Sequence, residues 1–285
     1  MENKFNEILL VPTDFSEVCF NAIEYGASIA RHFSYELAIM HVVDKESRQQ
    51  LRKENLEEKA IADRLEEIAV KIRAAYSIQV RCISREGSIF STIGEVATEI
   101  GACLLVLGTH GKVGLQQHLT GSFALKVVTT SPAPVIVIQK GTKFNEGYRN
   151  IVFPVSTTAE VRQKVRWVVM IAKVFKSKIH LVQLYEPLEE SRRKARTIIS
   201  QILEKFTENK IPYTHYQAKK GVNFGKQVLA YASENQAELI TIMTTPDAIS
   251  FILGPYDEQM IFNAHAIPVM CVNPVDKTTT HWFGS

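Results

Sequence analysis

Residues 104–128 read LLVLGTHGKVGLQQHLTGSFALKVV. The run Leu104-Leu105-Val106-Leu107 is short and continuously apolar, the pattern of a strand buried on both faces. Phe123-Ala124-Leu125-Lys126-Val127-Val128 reads as the opening of a helix. Between them stand Gly108, Gly111 and Gly121, separated by two and then nine residues, with Ser122 directly after. Glycine lacks a Cβ and tolerates positive φ, so a glycine loop brings backbone N–H groups close to an anion. The helix start beyond it adds unpaired N–H groups and a partial positive charge. Strand, glycine loop and helix outline a phosphate cradle.

Working outward from this unit, the chain is written twice. Ile8-Leu9-Leu10-Val11-Pro12-Thr13-Asp14 corresponds to Asn150-Ile151-Val152-Phe153-Pro154-Val155-Ser156. Each copy is an apolar strand running into proline, followed by an amphipathic stretch at 17–32 or 159–175 with helical spacing. Second strands are expected at 36–43 and 178–184, then long charged helices near 48–76 and 189–209. Third strands at 79–84 and 213–217 lead toward Gly87 and Gly221, and third helices follow at 88–100 and 223–235. Fourth strands at 103–107 and 239–243 precede the loop positions, and fifth strands lie at 134–138 and 268–272. Strands alternating with helices predict α/β architecture: two tandem, doubly wound, five-stranded parallel-sheet domains. Ligands of such sheets bind beyond the C-terminal strand ends, near the switch in strand order. Pro12, Thr13, Asp14, Val42, Gly87 and the glycine loop share that rim.

The bulk properties set the class. A chain of 285 residues suffices for two domains with their own cores. A composition of 46% hydrophobic and 22% charged residues is that of a globular protein. The formal charge of +3 comes without a basic stripe, which argues against nucleic acid as partner. No apolar run approaches the roughly 20 residues of a bilayer span, and the N-terminal stretch does not read as a signal peptide. Cys19, Cys82, Cys103 and Cys271 are scattered and form no C-x-x-C pair, so they read as reduced thiols. The histidines show no metal-ligand spacing. The expectation is a cytoplasmic protein without membrane contact.

The loop is not a Walker A motif, since Gly111-Lys112 is followed by Val113. Nor is it the dinucleotide fingerprint, because it follows the fourth strand with the wrong spacing. Taken with the early Pro-Thr-Asp and the duplicated pattern, the chain resembles a tandem universal stress protein. ATP-binding members of that family carry G-x2-G-x9-G-S/T after the fourth strand, matched by Gly108, Gly111, Gly121 and Ser122, and an Asp after the first strand, matched by Asp14. The resemblance spans nearly the whole chain. It implies the universal stress protein fold, of the adenine nucleotide alpha hydrolase-like type. Its division is domain one at 1–140, a linker at 141–149, domain two at 150–274 and a tail at 275–285.

It further implies ATP as ligand, with Mg²⁺ in company. Gly108, Gly111, Gly121 and Ser122 would hold the phosphates, and Phe123 would follow them into the helix. Asp14 would accept from ribose hydroxyls or help hold Mg²⁺, while Pro12 and Thr13 wall the pocket. Val42 would pack on adenine and offer backbone groups to its edge. A regulatory, stress-response role with little or no hydrolysis follows, because the motif supplies no water-activating base or arginine finger. Plainer readings stand beside these. The glycines close a tight strand–helix connection, Ser122 and Asp14 serve as helix caps, and Val42 is core. His110, Lys112 and His118 read as polar loop residues.

The second copy has lost the cradle. Met243 stands where Gly108 was, Pro246 where Gly111 was, Gly254-Pro255 where Gly121-Ser122 were, and Ser156 replaces Asp14. Proline has no N–H to donate, so no ATP site is expected there. Two accounts of this half remain. In one it is a structural partner, joined to domain one through the fifth strands as an intramolecular pseudo-dimer, with a homodimer as a further assembly. In the other it holds a different, apolar ligand against Met243, Phe251, Ile252 and Tyr256. The aromatic tail, with Trp282 and Phe283, is read as disordered or docked on a neighbour.

Overall fold

A computed structural model of the chain describes residues 7–109, 121–244 and 253–274. The chain divides into two compact units, with the boundary between Glu146 and Gly147. That boundary lies inside the segment read as a linker.

In the first unit the strands are β1 (Ile8–Pro12), β2 (Glu36–Val43), β3 (Val80–Glu86), β4 (Leu104–Thr109) and β5 (Val135–Gln139). They form a parallel sheet in the order β3-β2-β1-β4-β5. Every residue of β1 and β4 is buried, as expected for central parallel strands covered on both faces. The edge strand β3, VRCISRE, has only Val80 buried. Helices α1 (Glu17–Phe33), α2 (Lys45–Lys53), α3 (Lys59–Tyr76), α4 (Ile89–Glu99) and α5 (Gly121–Thr130) connect them. α1 packs with α3, and α4 with α5. Right-handed crossovers to either side of β1 put these two pairs on opposite faces. α1 lies close on the sheet because Gly26 has no Cβ, which would stand 2.8 Å from a methyl of Val11.

The single charged helix expected near 48–76 is in fact two. Asn55 sits at φ 52°, in the left-handed region. Leu56 N–H returns to the Leu51 carbonyl at 2.9 Å, closing α2 with a Schellman-type turn. α2 has no buried residue, whereas α3 buries Ile61, Leu65, Ala69 and Ile72. Charge alone made the two look continuous, but only α3 has an apolar face to lay on the sheet.

The second unit repeats the topology. β6 (Asn150–Val155), β7 (Lys178–Gln183), β8 (Tyr213–Gln217), β9 (Leu239–Met243) and β10 (Val269–Val272) run parallel in the order β8-β7-β6-β9-β10. Their helices are α6 (Val165–Phe175), α7 (Glu189–Glu208), α8 (Phe224–Glu234) and α9 (Pro255–Ile261). The first helix expected at 159–175 begins as a 3-10 turn over Ala159–Lys164 before α6. No helix among the described residues is long and apolar enough to cross a membrane. All four cysteines are free, three of them buried.

Candidate functional site

β1 ends at Pro12, and the chain then turns over the end of the sheet. Thr13 N–H still donates to the Met40 carbonyl at 2.7 Å. Thr13 Oγ1 accepts Phe15 N–H at 3.0 Å, and Asp14 Oδ1 accepts Ser16 N–H at 2.9 Å. Short polar side chains that bond backbone two residues on are a standard way to make such a turn. The turn leaves Phe15 at φ 64°, where a bulky residue is strained by about 1 kcal/mol or more. Its ring stacks on His41 with centroids 4.6 Å apart, and the Arg64 guanidinium lies 4.9 Å over it.

His41 is buried in β2. Its Nδ1 is 2.8 Å from the Thr13 carbonyl oxygen, and its Nε2 is 3.1 Å from Ser47 Oγ. Burial pulls the imidazole pKa below its ordinary value. The hydrogen bond to Thr13 and the charges of Asp44 and Asp14 pull it up, while Arg64 adds to the lowering. Asp44 caps α2 by accepting Ser47 N–H at 2.8 Å. α2 is further tied by Arg48, which pairs with Glu58 at 3.0 Å and with Glu86.

The backbone of Val42 faces the crevice for a reason visible in the ladder. Leu37 N–H and the Val43 carbonyl bond toward β3, to Gln79 and Gly87, whereas the Met40 carbonyl bonds toward β1. Alternation therefore turns the N–H and C=O of Val42 to the β1 side. There the ladder has already ended, at the pair Pro12↔Met40. The Val42 carbonyl instead accepts from Ser47 Oγ at 3.2 Å.

These groups surround one cavity of about 460 Å³ at the C-terminal ends of the strands. Pro12, Thr13, Asp14, Val42 and Phe123 line it, so the fold gathers five of the expected site residues. Met40, Ile89 and Ile93 add apolar wall; Phe15, His41, Ile61 and Arg64 line it too, and α2 contributes Ser47, Gln50 and Leu51 among others. Gly108 stands in β4 opposite Ile138. A Cβ there would come within 2.6 Å of the Val18 carbonyl oxygen, so close packing of α1 alone demands glycine. Gly121 opens α5, and Ser122 follows in its first turn. Gly111, His110, Lys112 and His118 lie outside the described residues, as does the Ser122 side chain. Among the described residues no three His, Cys, Asp or Glu side chains gather as a metal site.

Sequence reading missed Phe15, His41, Ser47, Arg64 and the separate α2. Signals for some were present: His41 is a polar residue inside the apolar run of β2, and Asp44 precedes a charged helix as an N-cap does. Nothing local ties Arg64 to Phe15, because their meeting needs α3 folded on the sheet.

The corresponding crevice of the second unit is built differently. Met243 is buried at the end of β9, at the register position of Gly108. Ser156 Oγ lies 3.1 Å from Thr158 Oγ1. Lys164, only 1% exposed, donates from Nζ to the carbonyls of Pro154 at 2.5 Å and Thr241 at 2.9 Å. Its Nζ also lies 4.2 Å over the Phe153 ring. Burial drives its pKa well below the ordinary lysine value. Tyr256 stacks on Phe224 at 5.8 Å. Pro246, Phe251, Ile252 and the tail, including Trp282 and Phe283, fall outside the described residues.

The comparisons with known proteins agree with one another. The model of the universal stress protein family matches residues 6–139. The universal stress protein MJ0531 of Methanocaldococcus jannaschii is 31% identical over 150 residues, 50% of this chain and 86% of that protein. The universal stress protein Sll1654 of Synechocystis is 28% identical over 131 residues, 46% of this chain and 83% of that protein. Among solved structures, a universal stress protein from Archaeoglobus fulgidus superposes with a TM-score of 0.77 at 18% identity, over 95% of this chain and 99% of its own. That likeness extends the shared fold to both units.

Proposed function

The chain belongs to the universal stress protein family, and from that premise we propose that its first unit binds ATP in a regulatory, stress-response role with little or no hydrolysis. The observation that carries this reading is the single cavity shared by Pro12, Thr13, Asp14, Val42 and Phe123 at the switch in strand order. Val42 turns a carbonyl acceptor and an N–H donor side by side toward that cavity, the complement of an adenine edge. Met40, Ile89 and Ile93 supply apolar surface for a base. Asp14 suits ribose hydroxyls or a nucleotide-borne Mg²⁺. Its Oδ1 already takes Ser16 N–H, so the carboxylate is held in place before a ligand arrives. Gly108, Gly111, Gly121 and Ser122 are proposed to receive the phosphates, Gly121 from the N-terminus of α5.

The proposal is binding rather than turnover. Among the described residues His41 is the histidine lining the cavity, and both its ring nitrogens are engaged, which suits a structural post better than a general base. The second unit is proposed as a structural partner without its own nucleotide, joined to the first through the fifth strands, with a homodimer as a further assembly. A cytoplasmic location and the absence of nucleic-acid or membrane partners belong to the same reading.

The test is to denature purified full-length protein and identify any released nucleotide by mass spectrometry, alongside titration with MgATP. One adenine nucleotide per chain is expected, lost in the Asp14→Ala plus Gly121→Val double variant. Two nucleotides per chain, or binding undiminished in that variant, would refute the assignment. Rapid multiple-turnover ATP consumption would replace binding with catalysis.

A further inference from the structure

Ser47, in the first turn of α2, holds its hydroxyl between two acceptors. Oγ lies 3.2 Å from the Val42 carbonyl oxygen and 3.1 Å from His41 Nε2. A serine hydroxyl has one proton to give. The Thr13 carbonyl, 2.8 Å from His41 Nδ1, has none, so Nδ1 carries the ring hydrogen and Nε2 of the neutral imidazole is an acceptor. Ser47 therefore serves Val42 or His41, never both at once.

We propose that the Ser47 hydroxyl is the internal occupant of the Val42 carbonyl, and that His41 Nε2 is where it turns when the amino group of a base claims that carbonyl. His41 and Ser47 are thus positioning residues for the base. This inference rests on the adenine-nucleotide reading above. Without His41 as alternative acceptor, a base amine that takes the lone pair Ser47 uses would leave the hydroxyl unserved in a half-buried site, a penalty charged against affinity. With His41 present the exchange is one hydrogen bond for another. The ring must stay neutral for this. The charged groups near it are Asp14 beyond β1, Asp44 at the cap of α2 and Arg64 on α3, and burial outweighs the two carboxylates. The β3 residue opposite His41 is the uncharged Ser84.

The experiment is a double-mutant cycle on full-length protein, reading MgATP affinity by calorimetry for wild type, His41→Asn, Ser47→Ala and the double variant. Asparagine keeps an N–H at the place of Nδ1, toward Thr13, but has no acceptor at the place of Nε2. His41→Asn is expected to weaken binding about tenfold, the scale of one poorly compensated hydrogen bond. Ser47→Ala removes the competitor and is expected to bind at least as tightly as wild type. The double variant is expected to regain the Ser47→Ala affinity. A double variant as weak as His41→Asn overturns the proposal, as does a Ser47→Ala protein that binds more weakly than wild type. Wild type without measurable MgATP binding overturns the nucleotide reading itself, and this inference with it.

Discussion

The two units share a strand order and differ at the one place where that order opens a crevice. In the first, Gly108 lets α1 lie against the end of β4, and Asp14 and Val42 line a cavity. In the second, Met243 occupies the Gly108 position, the facing segment is a 3-10 turn, and Lys164 reaches from that turn to the carbonyls of Pro154 and Thr241. Two strands that part at a switch point leave carbonyls without ladder partners, and buried carbonyls must find donors. Here the donor is the buried amine of Lys164. The connection after the second strand differs too: residues 44–58 of the first unit include α2, whereas only residues 184–188 separate β7 from α7. The copy that kept its glycines also carries a helix beside the crevice. The copy that lost them buries the Lys164 side chain against β6 and β9. One topology therefore supports a crevice lined by Asp14 and Val42 in one copy and a buried lysine bonded to two strands in the other.

Lys164→Ala, which installs the residue found at Ala22 in the aligned first unit, probes this buried contact and carries the largest expected effect. It removes a buried stem and strands two carbonyls, at a cost of about 3 kcal/mol in urea unfolding. Unchanged stability would mean that Lys164 is not a structural post. Gly108→Ala should cost about 2 kcal/mol, because the clash is with the backbone of α1 and cannot be relieved by a rotamer change. Met243→Leu at the matching position should cost less than about 1.5 kcal/mol, since it conserves volume. Equal losses at the two sites would erase the distinction drawn between them.

Hydrogen exchange of the full chain with and without MgATP separates the units directly. At saturating nucleotide, amides of β1, β2 and the start of α5 should exchange more slowly, and those of β6, β9 and α9 at their original rates. Protection in the second unit would reassign it as a ligand site. The smallest expected effect is a pH slope. The folded Lys164 has a lowered pKa, so between that value and the ordinary lysine value of about 10.4 the unfolded state binds more protons. The stability of wild type relative to Lys164→Met should therefore rise with pH across that interval. A falling difference would reverse the assigned direction.

Much of the fold was legible because strand and helix periods are local. The paired runs ending in Pro12 and Pro154 announced the duplication, and Leu104-Leu105-Val106-Leu107 announced a central strand. The site was partly legible: Asp14 and Val42 were found from motif and position, and the cavity includes both. Gly108 was legible as glycine but not for its steric role, since the Val18 carbonyl approaches it only after α1 folds back. α2 was hidden because charged residues look alike whether they end a helix or continue one, and Asn55 alone marked the break.

The sequence by itself determined the parallel α/β class, the repeat, the central strands and the glycine spacing that distinguishes one copy from the other. These follow from patterns set by neighbours along the chain. Only the tertiary structure decided that His41, Ser47 and the Val42 carbonyl meet at one rim, that Arg64 covers Phe15, and that Lys164 is buried against the carbonyls of Pro154 and Thr241. Such contacts join residues far apart in the chain, and their chemistry exists only once the strands splay and the helices close over them.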